Sequence, residues 1–415
     1  MSHAVTAGAG VVTATELRAR FARALSTLYG TEVPAYTTLV EVSGAVNADV
    51  LAARGPGAER LGSIARVTAE RHGAIRVGTP DELAQVARIF AACGMHPVGF
   101  YDLREADPPI PVVSTAFRPI DRAELAANPF RVFTSLLVAD DRRFFDAATQ
   151  AQLEEFLGAR RLFPDELLHL ADLAALRQAQ EPGGGLTPYD ADRFIELATA
   201  AFALSPEPVD RAWYDHLQAI SSVAADIGGV ASTHINHLTP RVLDIDDLYR
   251  RMSELGITMI DRIQGPPRTT KPAVLLRQTS FRALAEPRAF REPDGSVVRG
   301  ALSVRFGEVE ARGVALTPAG RALYDERGMN AFPDTEQGLH DAGLAYYRRD
   351  DEGRLQPVVY EDFLPRSAAG IFASNLTSDG SVDAAQRAAA RDAAWLQDAI
   401  GRPLHDPYAL YEAQV

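Results

Sequence analysis

The sequence is poor in the features that mark several common functions. Cys93 is its only cysteine, so no internal disulfide and no cysteine-rich zinc site can form. Any bound metal must then be held by histidine, aspartate or glutamate. No apolar run reaches the length of about eighteen residues that a membrane-spanning helix needs. Residues 1–12 are small and apolar but lack a basic leader segment, so a loose tail rather than a signal peptide is expected, with the cytoplasm as the default location. Positive charge is also scarce: the net charge of −13 argues against a nucleic-acid surface, which draws its affinity from a positive field over phosphates. An acidic substrate would need local arginines, for which Arg76, Arg277 and Arg305 are candidates. No nucleotide-binding loop is present. Gly183-Gly184-Gly185 lacks the Lys-Ser/Thr that would follow it, and Gly55-Pro56-Gly57 is too short. Asn375-Leu376-Thr377 matches a glycosylation acceptor but carries no weight in a cytoplasmic chain.

What is present is enough for two or three structural units. The 415 residues, 47% of them hydrophobic and 23% charged, have the length and balance of a globular protein with more than one core. Residues 1–65 read as a helical lead-in, with Leu17, Phe21, Leu25 and Leu28 at helical spacing. A unit over 66–140 starts with a strand around His72, continues with a helix over 82–92 closed by Gly94, and adds three β-rich runs near 97–101, 112–117 and 130–137. Residues 141–228 read as a helical insert. A second unit over 229–315 repeats the order: a strand near 232–241, a helix over 245–255 closed by Gly256, then runs at 257–260, 273–281 and 302–310. Residues 316–415 are expected to complete the substrate pocket. The expected fold is therefore α+β, with two βαβββ units, a helical insert and helical termini.

Chemistry concentrates where these strands begin and end. Side chains alternate across a strand, so His72, Ala74 and Arg76 share one face while Gly73, Ile75 and Val77 share the other. His72 lies 22 positions before Gly94, and His234 lies 22 before Gly256; this register favours His234 as the second imidazole. His237 is three positions on and faces the opposite side of a regular strand, so it is the alternative. On the last strand Phe306, Glu308 and Glu310 share a face, and alternation cannot choose between the two glutamates. Two imidazoles and one carboxylate form a facial triad that leaves adjacent coordination positions open on Fe(II). Gln278 and Ser280, on the neighbouring strand, are candidate hydrogen-bond donors to a substrate.

Several longer segments add to this. His72-Gly-Ala-Ile-Arg76, His234-Ile-Asn-His-Leu-Thr-Pro-Arg241, Leu275-Leu-Arg-Gln-Thr-Ser-Phe281, Phe306-Gly-Glu-Val-Glu-Ala-Arg-Gly313 and Phe363-Leu-Pro-Arg-Ser-Ala-Ala-Gly-Ile-Phe372 resemble, in order, the 2-oxoadipate dioxygenase/decarboxylase family of the vicinal oxygen chelate superfamily. The resemblance implies an open barrel-like sheet around a metal. It also implies an Fe(II) enzyme that takes 2-oxoadipate and O₂ to 2-hydroxyglutarate and CO₂. By position it assigns the iron to His72, His234 and Glu308, and a substrate carboxylate to Arg76, with Gln278, Arg366 and Ser367 near the substrate. The Gly-Glu-Val-Glu-Ala-Arg segment is also similar to the last strand of hydroxyphenylpyruvate dioxygenase, whose first glutamate is the ligand, and this favours Glu308 over Glu310. Arg366 departs from the family pattern, which has a small apolar residue after Leu-Pro. Two other classes fit the same architecture: a Zn(II) or Ni(II) isomerase or lyase, and a non-catalytic binder of small molecules.

Overall fold

The computed structural model describes residues 10–282, 285–302, 305–364, 383 and 385–415. The chain opens with helix α1 (Ala14–Glu32), started by Thr13, whose hydroxyl accepts the Glu16 amide. It buries Leu17, Phe21, Leu25 and Tyr29 along one stripe. Pro34 occupies the first turn of helix α2 (Pro34–Arg54), where a missing amide hydrogen costs nothing. No helix among the described residues is long and apolar enough to cross a membrane.

Strand β1 (Arg71–Val77) leads through Thr79 into helix α3 (Pro80–Ala92), where Thr79 and Glu82 form a reciprocal capping box. Gly94, at φ +64°, supplies the left-handed residue that turns the chain out of that helix. Strands β2 (His96–Asp102), β3 (Val112–Arg118) and β4 (Arg131–Leu137) follow. Along the sheet the order is β2-β3-β4-β1, with β4 parallel to β1 and the other neighbours antiparallel. Helices then run to α4 (Ser222–Gly228).

Strand β5 (His237–Pro240) pairs antiparallel with β1, setting Ala74 opposite His237 and His72 opposite Thr239. Helix α5 (Ile245–Glu254) starts at Asp244, whose carboxylate accepts the amides of Asp246 and Asp247. Strand β6 (Leu276–Ser280) comes next, and a hairpin of β7 (Glu286–Arg291) and β8 (Val297–Leu302) separates it from β9 (Glu308–Arg312). The run expected over 302–310 begins instead at Glu308, and a hairpin that was not expected precedes it: the Asp294-Gly295 turn, with Gly295 at φ +84°, folds the chain back before β9 begins. β9 pairs with β6, meets the end of β5 through an Arg241–Glu310 bridge, and β6 meets residues 259–264 through bridges at Met259 and Gln264. The order β5-β9-β6, then residues 259–264, matches β1-β4-β3-β2. The result is a mixed α/β fold.

The registers separate two faces. Ile75, Val77, Val132, Leu136 and Leu238 point into a core with Phe21, Phe90 and Phe130. The other face carries His72, Ala74, Arg76, Phe133, Ser135, His237, Glu308 and Glu310, and is roofed by residues of the helices before β5, including Trp213, Leu217, Ala224 and Ala225.

A buried ion network locks the strands at the His72 end. Glu70, just before β1, bonds Arg131 of β4, and its other oxygen accepts from Arg241 Nη1 at 2.8 Å. Arg312 Nε of β9 lies 3.1 Å from Glu70 and donates to Glu310 at 2.6 Å. Arg66 and Arg131 share Glu361. Burial pushes the Glu70 carboxyl up, but Arg241, Arg131, Arg66 and Arg312 outweigh it and hold the group well below its ordinary 4.5. A carboxylate depressed in the folded state stabilises above its unfolded pKa, and that contribution is lost as pH falls. Urea denaturation of the metal-free protein should therefore show stability declining as pH drops below 4.5. Glu70→Gln, which strands several buried guanidiniums, should cost about 3–5 kcal/mol at neutral pH and flatten that acid slope. An unchanged midpoint would show that the network is not stabilising as drawn.

Candidate metal centre

Three side chains from three strands converge on the inner face. His72 is the second residue of β1, His237 the first of β5 and Glu308 the first of β9. One ligand atom from each lies within 4.8 Å of the others. The two imidazoles are 5.3 Å apart between centroids and nearly perpendicular, at 89°. Glu308 Oε2 lies 3.5 Å from His237 Nδ1 and 3.9 Å from His72 Nε2. All three are buried. Among the described residues, neither Glu308 oxygen and neither His72 nitrogen has a hydrogen-bond partner of good geometry. A fully buried carboxylate without donors is costly, and burial accordingly raises the Glu308 pKa. A cation between the three groups would remove that cost, so the donor set fits a divalent metal.

The two glutamates take different places. Glu310 Oε2 lies 2.9 Å from His72 Nδ1, behind the ring, and both Glu310 oxygens are gripped by Arg312. Burial opposes ionisation of Glu310, yet Arg312 and His72 bring its pKa down to about 2. Burial likewise disfavours charge on His72, and Glu310 with Glu308 outweighs it, leaving its pKa raised. A carboxylate behind an imidazole orients the ring and raises its basicity as a ligand. Phe363 stands against His72 and Phe306 against His237, both at 4.9 Å between centroids, so the cluster has aromatic walls.

His234 does not join the cluster. It precedes β5 and turns to Asp226 of α4, with Nε2 3.1 Å from Oδ1. The 22-residue spacing pointed to it because helix α5 has 10 residues where α3 has 13. Counting back from Gly256 therefore overshoots the strand by one turn's worth of missing helix, and the residue on the inner face is His237. Asp226 also bonds Arg76 and accepts from Asn236 Nδ2 at 2.9 Å. Burial raises the Asp226 pKa, and His234 and Arg76 together carry it well below its ordinary value. Sequence reasoning missed Asp226. Its signal was a single acid inside the apolar run Val223-Ala-Ala-Asp-Ile.

The other expected residues divide. Arg76 lies on the inner face four positions beyond His72. Gln278 and Ser280 stand opposite Glu310 and Glu308 on β6, and Gln278 Nε2 and Ser280 Oγ lack partners among the described residues. Arg305 is structural: its guanidinium donates to Glu286 at 2.8 Å and lies 5.5 Å from the Tyr29 ring. Arg277 points away from the centre to Asp246, at 2.6 Å. Arg366 and Ser367 lie outside the described residues.

Comparison with known proteins gives the chain its family. The sequence profile described as 2-oxoadipate dioxygenase/decarboxylase matches residues 21–375. A 2-oxoadipate dioxygenase/decarboxylase of Mycobacterium tuberculosis is 61% identical over 407 residues, covering 96% of each chain. The crystal structure of the hydroxyglutarate synthase of Pseudomonas putida in complex with 2-oxoadipate superposes with a TM-score of 0.83 at 36% identity, over 98% of this chain and 97% of that one. A putative glyoxalase superfamily protein of Ralstonia eutropha shares the fold at a TM-score of 0.53 and 22% identity, over 75% of this chain and 88% of its own. Extended similarity at this level, over nearly the full length and through the strands that carry the cluster, shows that the chain belongs to the 2-oxoadipate dioxygenase/decarboxylase family.

Proposed function

We propose that this protein holds Fe(II) between His72, His237 and Glu308 and converts 2-oxoadipate and O₂ to 2-hydroxyglutarate and CO₂. Atoms balance: C1 leaves as CO₂ with its own two oxygens, and both atoms of O₂ end in 2-hydroxyglutarate, one in the new carboxylate and one in the hydroxyl. The observation that carries the reading is the buried cluster of two imidazoles and a carboxylate, its Glu308 oxygens unpartnered among the described residues, on the same face as Arg76. The Pseudomonas relative's bound 2-oxoadipate supports the substrate class. In the same reading, 66–140 and 229–315 are paired vicinal-oxygen-chelate-type units forming an open barrel around the metal. In that reading the insert over 141–228 roofs the inner face through Trp213, Ala224 and Ala225, and 316–415 completes the substrate pocket.

Fe(II) held by such a triad would leave adjacent positions for a 2-oxo acid and O₂ and would activate the O₂ that the substrate's own electrons reduce. The chain's own residues do the rest. Four positions of strand rise put Arg76 about 13 Å from His72, which suits a substrate whose 2-oxo end is at the metal and whose far carboxylate meets a guanidinium. The planar fork of Arg76 matches a carboxylate in two hydrogen bonds. Asp226 holds that fork in position before substrate arrives and is itself braced by Asn236 and His234. Gln278 and Ser280 offer donors beside Glu310 and Glu308. Phe133, Phe306 and Phe363 keep the centre dry, which strengthens each polar contact inside it. Glu310 keeps the Nδ1 side of His72 occupied, leaving Nε2 for the metal.

The direct test is O₂ consumption by protein purified without air and loaded with Fe(II), given 2-oxoadipate and a panel of other 2-oxo acids. Uptake with 2-oxoadipate and 2-hydroxyglutarate as product is expected; turnover that proceeds without O₂, or no uptake with any acid, would overturn the reading. Metal analysis separates the histidines. His72→Ala and His237→Ala should lose bound iron and activity together, whereas His234→Ala should keep its iron. Retention of iron by His237→Ala would return the second ligand to His234. Asp226→Asn should leave the iron content unchanged and raise KM for 2-oxoadipate roughly 10- to 100-fold, the size expected when a charge-assisted hydrogen bond that orients Arg76 is lost. An unchanged KM would remove Asp226 from substrate positioning.

A further inference from the structure

A second concentration of charge lies outside the metal centre. A cavity of about 330 Å³ opens where the end of β5, the start of α5, residues 266–274 and the segment around 50–61 come together. Arg241 and Arg312 form its floor, and Arg268 and Arg277 one wall. Arg54, Arg60 and Lys271 complete its cationic lining, against only two lining carboxylates, Asp244 and Asp246. That surplus stands in a chain whose net charge is −13, and Lys271 is the only lysine in the sequence.

Part of this charge is already neutralised within the protein. Arg60 pairs with Glu336, Lys271 lies 3.0 Å from Asp334, and the floor arginines bond Glu70 and Glu310. The remainder is neutralised less completely. One Asp244 oxygen accepts the α5 amides, and the other lies 3.7 Å from Arg268. Asp246 is left to serve both Arg277 and Arg268, at 2.6 and 3.4 Å. Arg54 has no ion pair among the described residues, and the Nε atoms of buried Arg241 and of Arg277 have no hydrogen-bond partner among them. Converging cations repel one another at this range, and an oxyanion with several acceptor atoms would relieve the repulsion while satisfying the vacant donors. A cavity of this volume holds one small molecule, not a polymer.

We propose that this cavity is a second anion site, separate from the metal centre, that takes a small oxyanion carrying at least two negative charges, either a phosphate group or a dicarboxylate. Its floor is one guanidinium away from the His72 ring: Arg312 lines the cavity and grips Glu310, which backs His72. The assignment does not depend on which metal or substrate the centre uses.

The test is calorimetry on the full chain stripped of metal with a chelator, titrated separately with inorganic phosphate and with glutarate, a dicarboxylate that has no 2-oxo group to chelate through. About one equivalent of at least one anion should bind; phosphate alone would assign a phosphate-bearing ligand and glutarate alone a dicarboxylate. Binding should be at least about tenfold weaker in R268Q/R277Q, a loss of roughly 1.4 kcal/mol, and unchanged in His72→Ala. Because Lys271 is the only side-chain amine, its acylation rate, read by peptide mass spectrometry, should fall when the bound anion saturates. R54Q/K271Q, which leaves the Arg277–Asp246 pair intact, gives the same comparison if the first double variant does not fold. No binding of either anion at about 1 mM, binding that survives both double variants, or binding lost in His72→Ala would overturn the proposal.

Discussion

Antiparallel pairing of β1 with β5 is the contact on which the rest of the centre depends. It joins the two halves of the sheet edge to edge and, through the Ala74–His237 register, places both imidazoles on one face. A slip of one residue would send His237 to the apolar side, because side chains alternate. The register is held from both faces. Leu238 is buried in the core with Ile75 and Ile235, while Gly73 leaves room for Ile235 and Leu238, since a β-carbon there would come within 2.7 Å of the Ile235 side chain. Packing on the apolar face thus fixes the chemistry on the other.

Charge is organised around that seam in three tiers. At one end, Glu70, Glu310 and Glu361 share four buried or nearly buried arginines, so that no carboxylate and no guanidinium is left alone in a low-dielectric interior. In the middle, Glu308 has no such donor among the described residues, which sets it apart from Glu310. At the other end, Arg76 is balanced by Asp226, a residue brought in by the helices that roof the face. Neighbouring carboxylates on one strand therefore differ in kind: Glu310 is committed to Arg312 and His72, and Glu308 is available. The outer cavity draws on the first tier, where the guanidiniums that serve Glu70 and Glu310 on one side reach its floor on the other.

The helices over 141–228 consequently do more than fill space between sheet units. Trp213, Ala224 and Ala225 pack with Ala74, Phe133 and Phe363, making the inner face of the sheet part of a second core. Asp226 rides on that packing. The apolar contacts position α4, and α4 positions an acid that meets Arg76 and His234 together.

Much of this was legible in the residues. The strand around His72, the capping signal Thr79-Pro-Asp-Glu82, the helix closures at Gly94 and Gly256 and the repeated order of elements all follow from local rules of spacing and turn chemistry. The long shared motifs carried the family. Other features needed the tertiary structure, because they turn on distances between segments that local pattern does not encode. His237, not His234, lies beside His72 and Glu308 because one helix is a turn shorter than its counterpart, which no count along the chain could show. Glu308 separates from Glu310 only once Arg312 and the back of the His72 ring are in place. Asp226 and the outer cationic cavity, like the inward turn of Arg76, arise from elements far apart in sequence. What the sequence by itself determined was the set of chemical groups and the periodicity that puts each on a strand face, since both are local. Which of those groups meet was decided by strand register and helix packing, since these are set by the whole core.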